Sequence, residues 1–223
     1  MILFGLTNSF ATFQAFMNTI FANLVAAGKV AVYLDDILIY TATPEEHQAV
    51  THDILQCLSA HNLYLHSEKC EFAQDQIEYL ELIIQEGKVF MDLVKIHAVV
   101  HWPTPCNLRN LQGFLGFANF YCHFIKDFAK LACPLNDLTK KNVSWTWGTL
   151  QKHAFQALKD KFSHKPILTM WEPHRPTCLK VDVSGYAMGS VLLQKLDDNL
   201  LHPIAFQSQS MIDAEHNYKI YDK

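Results

Sequence analysis

The 223-residue sequence contains no apolar run approaching the roughly 20 residues that span a bilayer, and no charged segment leads into a signal-like stretch. An intracellular protein with no membrane partner is the expectation. Its six cysteines, Cys57, Cys70, Cys106, Cys122, Cys133 and Cys178, show no C-x-x-C spacing. They read as buried, reduced thiols and exclude a disulfide framework. A basic excess is also missing. The formal net charge of -4 favours neither a membrane surface nor, strongly, a nucleic acid, whose phosphates usually select a basic face. Histidine is plentiful, at 12 residues, and His97 and His101 stand one helical turn apart. "HAVVH" nevertheless lacks the glutamate of H-E-x-x-H and a third ligand, so two histidines on a solvated helix face are expected there.

With 50% hydrophobic residues a sizeable core is possible. "NSFATFQAFMNTIFANLVAA" places Phe13, Phe16, Met17, Ile20, Phe21 and Leu24 on one helical stripe, with Asn8 or Ser9 as cap and Gly28 as stop. Two apolar runs, "VAVYL" and "ILIY", then read as a hairpin. Thr43, Pro44 and Glu46 carry the signals of a capped helix start. Short strands over 63–90, two helical segments split by "PTPC", a connector "PLNDLTKKNVSWTW" and a further helix follow. From Thr177 alternating strands return, with "DDNL" as a turn. The expectation is a mixed α/β (α+β) chain: an α/β part over 1–90, helices over 91–144, and a second α/β part over 145–223.

Asp35 and Asp36 interrupt the hairpin. Inside a regular strand, adjacent side chains point to opposite faces, but at a tight tip the alternation breaks and two carboxylates can approach one point. Their repulsion, roughly 4 kcal/mol at 4 Å with an effective dielectric near 20, is removed by a hard divalent cation. A solvated Asp-Asp turn is the other reading these residues leave open.

"YLDDILIYT" resembles the Y-x-D-D motif of reverse transcriptases, and the match extends in order along the chain. "FGLTNSFATFQAFMN" is similar to the F-G-L-x-N-A-P-x-x-F-Q segment of gypsy-type LTR retrotransposon Pol polyproteins. "LYLHSEKCEF" resembles their next block and "WPTPCNLRNLQGFLGFANFYCHFI" their thumb. "LKVDVSGYAMGSVLLQ" and "HPIAFQSQSMIDAEHNYKIYDK" resemble the opening of their RNase H domain. The resemblance implies a partial palm carrying the Y-x-D-D hairpin, a helical thumb and an incomplete RNase H-like domain. It implies an RNA-directed DNA polymerase linked to a ribonuclease H, each using Mg²⁺ in two-metal chemistry. Asp35 is then a direct metal ligand and Asp36 a supporting one. Tyr33 lies beside the primer end, and Phe4, Gly5 and Gln14 line the incoming nucleotide and template. Lys69 matches a lysine that protonates pyrophosphate, or is a solvated turn lysine. Asp182 matches the first RNase H metal carboxylate, and Gly189 on the next strand suits close packing. The implied partners are RNA and DNA template-primers, RNA–DNA hybrids, dNTPs and other Pol and Gag products. Cytoplasmic particles and the nucleus are the implied locations.

Departures from the family pattern carry information. Relatives supply one more polymerase aspartate upstream of Phe4 and a glutamate after "YDK", so the chain reads as truncated at both ends. On that reading the isolated polypeptide completes neither metal site and is inactive. Phe10 replaces a customary proline, Glu81-Leu82 a Gly-His beside the primer, and Cys122-His123 two arginines. A carboxylate near phosphates repels them, and each lost cation flattens the salt slope by about 0.9 on duplex DNA. The alternative function is a noncatalytic, decaying nucleic-acid-binding remnant, with the 108–128 helices and Phe114, Phe120, Tyr121 and Phe124 along a minor groove.

Overall fold

A computed structural model describes residues 8–164, 167–184 and 187–212, together with Glu215 and Tyr218. The chain forms two compact units, one ending at Tyr79 and the other starting at Leu80.

In the first unit the apolar stripe makes helix α1 (Ser9–Ile20), which Phe21 separates from the short α2 (Ala22–Ala26). Gly28, at φ 65, turns the chain into strand β1 (Val30–Tyr33), which pairs antiparallel with β2 (Asp36–Ile39). Helix α3 (Pro44–Ala60) starts as its residues dictate. Thr43 Oγ1 accepts from the Glu46 N–H at 3.2 Å, and Glu46 Oε2 accepts from the Ala42 N–H at 3.3 Å. Lys29, 2.8 Å from Glu46, holds that carboxyl below its ordinary range, and the Ala42 bond adds to the effect. Met17, Phe21, Val30, Val50, Ile54 and Leu58 interlock as the core. A 3-10 turn (Ser67–Lys69) and strand β3 (Gln76–Tyr79) complete this unit.

The second unit opens with β4 (Leu82–Gln85) and β5 (Lys88–Met91), antiparallel around Gly87 at φ 66. Helices α4 (Leu93–Val100) and α5 (Leu108–Phe120) follow, with side-chain caps from Asp92 and Asn107, then a 3-10 turn at Cys122–Phe124. Helix α6 (Phe128–Asp137) occupies part of the expected connector and carries Pro134 internally. Tertiary burial of Phe128, Ala129, Ala132 and Leu135 outweighs the proline's missing donor there. Helix α7 (Thr149–Ser163) packs on α4 and α6. Beyond it, β6 (Ile167–Thr169) adds to β5 with Ile167 opposite Phe90. The core gathers Leu111, Phe114, Tyr121, Phe124, Leu158 and Phe162.

Strands β7 (Thr177–Val183), β8 (Ala187–Lys195) and β9 (Leu201–Ser210) form an antiparallel meander. Its one register shift lies at Leu192/Leu193, next to Pro203 on edge strand β9, where a missing donor is tolerated. Gln194 is fully buried and saturated: it bonds both backbone groups of Glu172, the Arg175 carbonyl and Thr177.

Two expectations need correction. All six cysteines are free, yet none is buried; Cys106 is exposed in the loop ahead of α5, and the others are half-buried. Of the aromatics expected along a groove, Phe114, Tyr121 and Phe124 are core, and only Phe120 is exposed. Among the described residues no helix is long and apolar enough to cross a membrane.

Candidate functional site

The acidic pair lies where β1 turns into β2. Tyr33 and Asp36 are register partners, so the connection consists of Leu34 and Asp35 alone. Leu34 has φ 53 and Asp35 is not in the positive region, the sign pattern of a type II′ hairpin. Such a turn favours glycine at its first central position. Here a leucine occupies it, and helix α1 supplies the compensation. Gln14 Oε1 accepts from the Leu34 N–H at 2.7 Å, and Gln14 Nε2 donates to the Val32 carbonyl at 3.1 Å. Asp35, Asp36 and Tyr33 are exposed around this tip.

Tyr79, at the end of β3, is a member of this neighbourhood that motif reading did not single out. Burial pushes its phenol up, and the Asp36 carboxylate and Tyr40 push it further the same way. The signal available beforehand was only an aromatic at the end of a strand.

Lys69 is exposed at the end of its 3-10 turn, its backbone N–H bonded to the His66 carbonyl. Phe4 and Gly5 lie outside the described residues. Among the described residues no three His, Cys, Asp or Glu side chains are grouped to hold a metal ion. Two adjacent exposed carboxylates nonetheless suit Mg²⁺, which commonly takes one or two and fills its shell with water and substrate phosphates.

In the second unit Asp182 is exposed on β7, opposite Gly189 of β8. It shares a cleft of about 40 Å³ with Asp127, Lys130, Ser184, Met188 and Ser208. A Cβ at Gly189 would stand 3.1 Å from Asp127 Oδ1, so the glycine makes room for a second carboxylate beside the strand. Asp127 occupies the N-cap of α6 at φ 59 but makes no cap bond; the Ser208 hydroxyl accepts from the Ala129 N–H at 2.8 Å instead. Asp127, Lys130 and Ser208 were not legible as neighbours of Asp182, since they join it only through the fold.

A groove of about 340 Å³ runs along the same unit, lined by Gln112, Leu115, Gly116 and Asn119 of α5 with Phe128, Asn136 and Thr139. Glu81, expected to face phosphate, is partnered: Lys95 Nζ lies 3.3 Å away and the Tyr121 hydroxyl donates to its carbonyl and Oε2. At φ 63 it holds a conformation natural to glycine. Cys122 has its thiol pushed up by burial, while His123 Nδ1 contacts the Phe206 carbonyl at 3.3 Å.

Comparison with known proteins follows this division. Residues 1–84 match the family described as reverse transcriptase (RNA-dependent DNA polymerase). Residues 147–223 match an RNase H-like domain found in reverse transcriptase. The transposon Tf2-3 and Tf2-4 polyproteins of Schizosaccharomyces pombe are each 35% identical over 220 residues, 99% of this chain and 16% of their own length. The chain thus spans about a sixth of these curated relatives. Among solved structures, a foamy viral protease-reverse transcriptase in complex with dsDNA has a TM-score of 0.83 at 20% identity, covering 99% of this chain and 45% of that one. The same protein in complex with RNA/DNA hybrid gives 0.84 at 22%, covering 99% and 30%. The likeness shows the shared architecture: palm and thumb elements followed by an RNase H-like domain.

Proposed function

This chain belongs to the reverse transcriptase–RNase H family of gypsy-type LTR retrotransposon polyproteins, and from that premise we propose that it contributes to RNA-directed DNA synthesis with linked hydrolysis of RNA–DNA hybrids. The observation that carries the polymerase assignment is the tip of the first hairpin. Two neighbouring carboxylates stand exposed there, on a turn whose backbone is held from outside by a helix side chain.

Asp35 and Asp36 hold Mg²⁺ in this assignment, with Asp35 the direct ligand and Asp36 supporting. Magnesium, when bound, supplies positive charge to the attacking 3′ oxygen and the leaving pyrophosphate. Tyr33, half-exposed before the turn, supports the primer end. In the same assignment Gly5 and Phe4 contact the incoming dNTP and template, and Lys69 protonates pyrophosphate. In the second unit Asp182 holds Mg²⁺ for cleavage of the RNA strand. The α5–α6 groove, lined by amides and the bare backbone of Gly116, offers an uncharged track for a duplex. The proposed setting is a cytoplasmic particle shared with other Pol and Gag products, from which DNA reaches the nucleus.

The test is primer extension on poly-rA/oligo-dT with Mg²⁺ by a Pol polypeptide that carries this chain. Asp35→Asn is expected to lower incorporation by at least about 100-fold, the scale on which lost electrostatic stabilisation of a transition state is felt. Incorporation at the unsubstituted level would overturn the assignment.

A further inference from the structure

Gln14 falls in a segment expected to line substrate, but its bonds are already committed within the protein. Its carboxamide nitrogen donates to the Val32 carbonyl at 3.1 Å and to Asn18 Oδ1 at 2.8 Å, and its oxygen accepts from the Leu34 N–H at 2.7 Å. Both amide protons are therefore used. The backbone also dictates which end faces which: a carbonyl can only accept and an N–H can only donate, so the amide has one consistent orientation.

Hairpin alternation explains why those two backbone groups are open. The Tyr40 N–H donates to the Lys29 carbonyl, which makes Lys29/Tyr40 a hydrogen-bonded pair. Counting in steps of two, Ala31/Leu38 and Tyr33/Asp36 are hydrogen-bonded pairs, and Val32/Ile37 is not. The Val32 carbonyl thus faces away from β2, and the Leu34 N–H lies in the turn. One carboxamide answers both, as a neighbouring parallel strand residue would opposite Tyr33. Leu34 needs the help, because a branched side chain at φ 53 is sterically disfavoured.

We infer that Gln14 is a positioning residue: its carboxamide, oriented by Asn18, locks the Leu34–Asp35 turn in the conformation that presents Asp35 for catalysis. It acts through the turn and not on the nucleotide. The catalytic half of this statement rests on the polymerase assignment above; the structural half does not.

The experiment follows backbone amide exchange by NMR in the 223-residue chain, then nucleotide incorporation in a Pol polypeptide carrying the same substitutions. In Gln14→Leu the Leu34 amide is expected to exchange about tenfold faster or more, while the Ala31 amide, bonded across to Leu38, keeps its protection. Incorporation should fall about 100-fold in kcat with KM for dNTP unchanged, the scale of a misplacement near 1 Å. Adding Leu34→Gly should recover part of the rate, since glycine holds that φ without strain. Should Gln14→Leu fail to fold, Gln14→Glu keeps the acceptor and is expected to keep Leu34 protected. Unchanged exchange at Leu34 in Gln14→Leu, lost protection in Gln14→Glu, or a raised KM with kcat unaltered would each overturn the inference. Full activity in Asp35→Asn would remove the polymerase assignment alone, leaving the exchange result standing.

Discussion

Leu34 and Asp127 sit beside the two acidic sites, and both are non-glycine residues in the left-handed region, at φ 53 and φ 59. Each has a neighbouring backbone N–H satisfied from a distant element: Leu34 by Gln14 of α1, and the helix start after Asp127 by Ser208 of β9. The residues themselves differ. A leucine has no polar atom with which to stabilise such a backbone, whereas aspartate is enriched there. The Leu34–Asp35 turn therefore depends on its brace, while the bend at Asp127 has intrinsic tolerance and uses its borrowed bond mainly as a helix cap. Strain is concentrated at the first site, at Leu34 next to Asp35.

Several measurements sharpen or break that contrast. The largest stability effect belongs to Gln14→Leu, which leaves a half-buried carbonyl and N–H unpaired and should cost about 2 kcal/mol in urea unfolding of the chain. Ser208→Ala removes only the cap and should cost about 1 kcal/mol. Equal losses, or the reverse order, would break the comparison. Smaller still is the coupling between Gly189 and Asp127. Gly189→Ala places a methyl 3.1 Å from the carboxylate, so it should be worse by about 0.5–1 kcal/mol with Asp127 present than in an Asp127→Ala background. Additive effects would show that the glycine is not making room for that carboxylate.

The least effect concerns acidity. Glu46 is held below the ordinary 4.5 by Lys29 and the Ala42 N–H, so its stabilising contribution is present above that value. The contribution fades as the pH drops through the lowered folded value. The difference in melting temperature between the native chain and Glu46→Gln should accordingly narrow from pH 7 to pH 3. A gap that widens on acidification would reverse the assigned sign.

Particular elements show where local reading works. The α3 start is legible because Thr43, Pro44 and Glu46 act within four residues of one another. The hairpin is legible from its two apolar runs, although Leu-Asp is no favoured type II′ pair; the turn type could not be read because its support comes from Gln14, 20 residues earlier. Helix α6 was obscured by Pro134, whose cost is local while the compensating burial of Ala132 and Leu135 is not. Strand β6 was missed for the same reason: three residues following Pro166 carry little signal until Phe90 pairs with Ile167. Glu81 was legible as a misplaced charge, but its compensation by Lys95 and Tyr121 was not.

The amino-acid order alone determined the family, most helices and strands apart from α6 and β6, and the positions of Asp35, Asp36 and Asp182, since motifs, caps and periodicities act over a few residues. Only the tertiary structure decided that Gln14 bonds the backbone of the Leu34–Asp35 turn, that Ser208 caps α6, and that Asp127 stands beside Asp182. Each of those contacts closes a loop of tens of residues, and a hydrogen bond between distant segments leaves no periodic trace in the chain that makes it.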